Sequence, residues 1–76
     1  MPTLIRFSNC AVVMYAADHL PPHFHVRMQD GREALISIED LSILSGRIAR
    51  RELSEVLKWA VEQQAALAQK WKELNS

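Results

Sequence analysis

No pair of cysteines, no long apolar run and no surplus of either charge mark this chain of 76 residues. The lone Cys10 excludes an internal disulfide and suits a reducing compartment. No apolar stretch approaches the ~18 residues of a membrane span, and no basic region leads into an apolar one near the start. A cytoplasmic protein that contacts no membrane is therefore expected. Nine basic residues balance nine acidic ones, which removes any global electrostatic argument for nucleic acid and leaves only local patches. Repeats and low-complexity tracts are missing too. The length leaves no room for a linker and a second core, so residues 1–76 read as a single domain. A domain this short buries only ~60% of its unfolded surface. A homo-oligomer or a partner would add the stability that its small core lacks.

What the chain does have is a globular composition, 49% hydrophobic and 24% charged. It also has an unusual concentration of histidine. All three histidines fall within His19-Leu-Pro-Pro-His-Phe-His-Val-Arg27. Short apolar stretches precede that segment. Thr3 to Phe7 and Ala11 to Tyr15 read as strands, the second apolar enough to be covered on both faces, with Cys10 a small buried hydrophobe at its start. Pro21 and Pro22 hold the loop extended ahead of His23 to Met28, which alternates cleanly. Phe24, Val26 and Met28 point one way, and His23, His25 and Arg27 the other.

The loop after Met28 decides which side chains meet. A three-residue loop, Gln29-Asp30-Gly31 with Gly31 left-handed, places Phe24 opposite Ile36 and Val26 opposite Ala34 on the core side. It also pairs His23 with Ser37, His25 with Leu35 and Arg27 with Glu33 on the other side. A two-residue loop would mix the faces. Asp40 to Arg47 is less readable: Leu41, Ile43 and Leu44 ask for burial, and Ser45-Gly46 marks a break. Residues 41–44 form either a short turn, which is the favoured expectation, or a fifth strand.

From about Arg50 to Leu74 the spacing predicts a helix, with Leu53, Val56, Leu57, Ala60, Val61, Leu67, Ala68, Trp71 and Leu74 on one stripe. At ~37 Å it outruns a five-residue strand of ~17 Å, so one end is expected to overhang the sheet or meet another chain. Gln64 interrupts the stripe and needs a partner for its amide. Trp59 lies off the stripe, either covering the sheet edge or serving as an exposed anchor at an interface. The predicted fold is α+β: a four-stranded, mostly antiparallel sheet with one long C-terminal helix on one face.

Candidate chemistry centres on the histidines. His23 and His25, two residues apart on a strand, emerge on one face, and His19 would add a third nitrogen across the Pro-Pro loop. Three imidazoles and an open position would make a site for a divalent metal, with Glu33 as a general base or fourth ligand. Read structurally, the same imidazoles simply hydrogen-bond loop and strand carbonyls, and Arg27–Glu33 is a surface ion pair. Charging all three imidazoles would make them repel, which predicts stability lost on acidification. Asp18-His19 would become a catalytic dyad only with a nucleophile such as Ser37 or Cys10 nearby. Arg47, Arg50 and Arg51 gather where a helix dipole disfavours cations, so they would suit an acidic partner or a phosphate as readily as solvent.

Several segments resemble a small bacterial family called domain of unknown function 4160. They are Met1-Pro-Thr, Asp18-His-Leu-Pro-Pro-His-Phe-His25, Ala34-Leu-Ile-Ser-Ile38, Arg50-Arg-Glu-Leu and Leu57-Lys-Trp-Ala60. Where that family often has proline before the paired arginines, this chain has Ala49, so its helix start is expected to be less firmly fixed. The resemblance implies pairing with a second small family, domain of unknown function 2442, in modules of toxin–antitoxin type. It assigns no catalytic residue. The expected function is therefore a component of a two-protein module that binds a small protein encoded beside it. The alternative is a metal-assisted hydrolase or ribonuclease using His19, His23 and His25, with RNA as its partner.

Overall fold

The computed structural model describes residues 3–75; Met1 and Pro2, part of the resemblance above, lie outside them. Five strands come first: β1 (Thr3–Arg6), β2 (Cys10–Val13), β3 (His23–Met28), β4 (Glu33–Ser37) and β5 (Ile43–Ser45). A 3-10 turn, Arg50–Leu53, then leads into α1 (Ser54–Asn75). The strands lie in the order β1-β2-β3-β4-β5 and every neighbouring pair is antiparallel. The α+β class stands, but the sheet has five strands, not four.

The extra strand is the alternative raised at residues 41–44, beginning two positions later and ending one later, at Ile43–Ser45. Leu41 is not part of it; it sits in the turn at φ 59, its N–H donating to the Ser37 carbonyl at 2.9 Å. Asp40 Oδ1 accepts the Ser42 N–H at 3.0 Å, and the Ser37 N–H donates to the Ser42 carbonyl at 2.9 Å. This side-chain-stabilised turn reverses the chain so that Ile43 pairs with Ile36. With only three residues, β5 shows no alternation that a sequence could reveal.

In β3 and β4 the register is the predicted one at all five positions: His23 with Ser37, Phe24 with Ile36, His25 with Leu35, Val26 with Ala34 and Arg27 with Glu33. Gly31 closes the loop at φ 96. On β2, Val12 pairs with Val26 and Val13 with His25. The sheet is thereby sorted into two faces. Val12, Phe24, Val26, Ala34 and Ile36 are fully buried on the helix side, against Leu53, Val56, Ala60, Leu67 and Trp71. Each large apolar side chain buried there contributes ~1.5–3 kcal/mol, and together they hold α1 on the sheet.

The expected stripe needs correcting at Val61 and Ala68, and of the two alternatives for Trp59 the structure favours cover of the sheet. Val61 is 63% exposed and Ala68 is also exposed, whereas Trp59 is half-buried and edge-on to Phe7 and Phe24 at 6.2 and 6.4 Å. The buried stripe is therefore rotated toward Trp59, which covers the sheet and is no free anchor. Buried residues of α1 run from Val56 near one end to Trp71 near the other. The loop between β2 and β3 meets its last turn, through hydrogen bonds from the Ala17 and Asp18 N–H groups to Leu74 and Asn75. Gln64 has the partners it needed, donating to the Ile38 and Glu39 carbonyls at 2.7 and 2.8 Å. Among the described residues no helix is long and apolar enough to cross a membrane.

Candidate metal centre

The loop between β2 and β3 is what turns a strand with two histidines into a site. It passes over the open face of the sheet, with Ala17 in the left-handed region at φ 56. Strain of this kind in a non-glycine residue persists only where the surroundings enforce it. Here the end of α1 does so: the Ala17 N–H reaches the Leu74 carbonyl at 3.4 Å, and the Asp18 N–H donates to Asn75 Oδ1 at 2.8 Å. Asn75 is itself fixed, its Nδ2 donating to the Trp71 carbonyl at 3.0 Å. The carboxylate of Asp18 is thus delivered to the histidines by the far end of the chain.

Asp18 Oδ2 lies 3.0 Å from His23 Nε2 and 3.0 Å from His25 Nε2. Outside this convergence, each ring has an acceptor behind it. His23 Nδ1 donates to the Pro21 carbonyl at 2.7 Å, and His25 Nδ1 stands 3.3 Å from Glu33 Oε2. The latter contact has ion-pair distance but no hydrogen-bond alignment, so His25 Nδ1 is a buried nitrogen without a partner. His23 is fully buried, its ring packed at a tilt against Trp71 at 5.2 Å and His25 at 5.1 Å, while Tyr15 meets the His25 ring edge-on at 4.7 Å. The side chains of Asp18 and His25 are 16% and 14% exposed, so the donors border solvent without being immersed in it.

The Asp18 carboxyl is held below the ordinary carboxylate range. The hydrogen bond from His25 is the main cause; burial opposes it, and the His19 N–H and the neighbouring His23 and His19 add to it. Asp18 is therefore an ionised acceptor at neutral pH. It lies between the two rings, a carboxylate that offsets the repulsion among the imidazoles that the sequence led us to expect.

His19, expected as the third ligand, is instead on the outside. Its side chain is 73% exposed, its ring stacks on His23 at 5.1 Å, and its Nε2 is 3.7 Å from Asp18 Oδ1. Among the described residues, the group whose donor atoms lie within 4.8 Å of one another is Asp18, His23 and His25. Glu33 is in place behind His25, and Arg27 reaches it only at 4.0 Å, so the predicted Arg27–Glu33 surface pair is the weaker contact. No dyad with a nucleophile is assembled: Cys10 belongs to the core cluster on the helix side, its thiol pushed up by burial, and the Ser37 hydroxyl serves Asp40.

The arginine cluster lies elsewhere. Arg47, Arg50 and Arg51 are exposed around the 3-10 turn, and Arg50 makes one long contact, 3.5 Å to the Leu41 carbonyl. Sequence reasoning passed over a neighbour that is better organised. Arg32 Nη2 donates to Glu52 Oε1 at 2.8 Å and its Nε to Asp30 Oδ2 at 2.9 Å, tying the β3–β4 loop to the helix start. Asn75 was passed over as well, and Asp18 was considered as a dyad partner of His19 rather than a ligand. For Asp18 the signal was there, a carboxylate inside the same motif as the two histidines. For Asn75, 57 positions away, there was none.

Residues 10–72 match the model of a family described as Domain of unknown function (DUF4160). No curated protein and no solved structure matches the chain.

Proposed function

We propose that this chain, which belongs to the DUF4160 family, is a divalent-metal protein whose centre is built by Asp18, His23 and His25 and performs metal-assisted hydrolysis. One observation carries the reading. His23 Nδ1 faces the Pro21 carbonyl, which can only accept, so in a neutral ring the Nε2 lone pair would face the ionised carboxylate oxygen only 3.0 Å away. Two acceptors in that position repel unless a proton or a cation lies between them. A cation also suits His25, because it frees Nδ1–H to face Glu33. Both rings then have the outer acceptor that orients metal-bound imidazoles. Metal–ligand distances of ~2.0–2.2 Å would put tetrahedral donors ~3.3–3.6 Å apart, so the two 3.0 Å spacings at Asp18 Oδ2 would have to open by a few tenths of an ångström.

Two imidazoles and one carboxylate leave a position for water, as hydrolytic zinc centres do. A divalent metal held by Asp18, His23 and His25 would supply hydroxide from a bound water near neutral pH; that hydroxide would displace the leaving oxygen of the substrate, which would take up the proton released from the water. His19, stacked over the cluster and exposed to solvent, is placed to carry this proton.

The test begins with elemental analysis of protein purified without chelator, followed by cobalt(II) titration of the stripped protein. Trp71 lies 5.2 Å from the His23 ring and supplies a second signal, since a paramagnetic ion bound there quenches its fluorescence. About one equivalent of metal is expected, lost in Asp18→Asn and His25→Ala while far-UV circular dichroism stays unchanged. Wild-type protein that takes up no metal and shows no quenching overturns the reading.

A second reading, from a different class, is supported by the exposed edge of β5. Leu44 is 43% exposed there, next to Arg47, Arg50 and Arg51. An unpaired edge with flanking cations suits the addition of a strand from an acidic protein. The partner would be the small protein encoded alongside, of the domain of unknown function 2442 type, in a cytoplasmic module of toxin–antitoxin type. Co-expression should give a complex that dissociates in Arg47→Glu/Arg50→Glu/Arg51→Glu. Failure of the wild-type pair to co-purify removes this reading and leaves the metal centre untouched.

A further inference from the structure

We infer that the open face of the sheet carries an anion site beside the proposed metal centre, and that it takes a phosphate group. The inference deepens the hydrolase reading by naming its substrate class, phosphate esters. Arg6 on β1, Ala11 on β2 and Arg27 on β3 stand in one row across three strands. Strands ~4.8 Å apart put the two arginine Cα atoms ~10 Å apart, with only the Ala11 methyl between them. A cavity of about 300 Å³ opens at this place, lined by both arginines with Thr3, Ser8 and Gln29 on its polar rim.

Neither guanidinium is closely paired. Arg6 has no carboxylate within 4 Å among the described residues, and Arg27 has only the long 4.0 Å contact to Glu33, which lies closer to His25 at 3.3 Å. Two cations across one gap, one of them only weakly paired, repel each other until an anion fills it. Guanidinium groups bind phosphate oxygens in pairs, and hydroxyl and amide side chains donate to those left over. A phosphate therefore uses every group the rim presents.

The position of the cavity supports the same assignment. The next row on this face runs Thr3, Val13, His25, so the cavity adjoins the row that holds a metal ligand. Along β3, the Cα atoms of His25 and Arg27 are ~6.8 Å apart. A phosphate ester held by the arginines would lie directly beside the centre.

The experiment separates binding from metal. Chelator-stripped, nitrogen-15-labelled protein is titrated by NMR with inorganic phosphate, adenosine monophosphate and the diester uridylyl-uridine. The expected shifts fall on the Arg6 and Arg27 Nε–H signals and the Ala11 amide. They should weaken at least ~10-fold in Arg6→Gln/Arg27→Gln and on raising the salt. Cobalt uptake by that double variant should equal that of the wild type. Both arginines are exposed, so the variant should fold, which the spectrum itself reports. Response to the diester favours a strand substrate, and response to phosphate and the monophosphate alone favours a monoester; each supports phosphate recognition. Absence of shifts with all three, or shifts centred on Arg47, Arg50 and Arg51, overturns the inference even if metal binds. Absence of metal with the shifts intact removes the hydrolase and keeps the anion site.

Discussion

Single residues decide whether this sheet has a site at all. Asn75 touches no ligand, yet its Oδ1 positions Asp18 through the backbone N–H. We expect Asn75→Ala to lower metal affinity by ~10-fold, the scale on which supporting residues act. Asn75→Asp, which keeps the accepting oxygen, should restore most of it. Equal losses in the two variants would show that only the packing of the helix end matters. Glycines separate in the same way. A Cβ on Gly31, at φ 96, would meet no atom within 4 Å, so Gly31→Ala should cost only the ~1–2 kcal/mol of left-handed strain. A Cβ on Gly46, at φ 111, would press on the Glu33 carbonyl oxygen and lie 2.7 Å from Ala34 Cα. Urea midpoints should show the Gly46→Ala variant as clearly the less stable of the two. The histidines were legible from sequence because strand alternation places them. Asp18 as their shared acceptor was not, because a loop has no periodicity and its course is set by contacts at the other end of the chain.

At the scale of elements, short-range patterns were readable and their orientation was not. The β3–β4 hairpin followed from alternation plus one turn glycine, since a slip by one residue would bury Arg27 and expose Phe24. The helix was equally plain in its 3.6-residue spacing, but its rotation was misjudged by counting Ala68 and Val61 as core. Trp59, a larger apolar surface, wins the place over Phe7 and Phe24 and turns the helix toward itself. The rotation makes a prediction in a pair of variants. Trp59→Ala should cost about 2 kcal/mol or more in denaturant unfolding. Val61→Ala, on the exposed flank, should stay within ~0.5 kcal/mol of the wild type. If Val61→Ala costs as much as Trp59→Ala, the face assignment is wrong.

For the molecule as a whole, the hairpin and the helix are fastened by a polar clasp at one end of the sheet. Glu52 accepts from Arg32 at 2.8 Å and from the Ala49 N–H at 3.1 Å, closing the helix start where the family often has proline. The Arg32 contact, with the Ala49 N–H second, holds the Glu52 carboxyl below its ordinary range. A lowered folded-state value means that the unfolded chain binds the proton more tightly. The stabilisation is therefore complete above the unfolded value of ~4.3 and disappears as the pH falls through the folded one. Urea midpoints at neutral pH and near pH 3 should fall further in the wild type than in Glu52→Gln. Equal falls would mean that the clasp adds nothing.

The tie between Asp18 and Asn75 also orders the way the molecule assembles. The partners are 57 positions apart. Closing so long a loop is entropically costly until α1 has docked. Before then the two histidines can already share a strand, but the carboxylate beside them has nothing to hold it. The convergence of Asp18, His23 and His25 is thus among the last contacts to form.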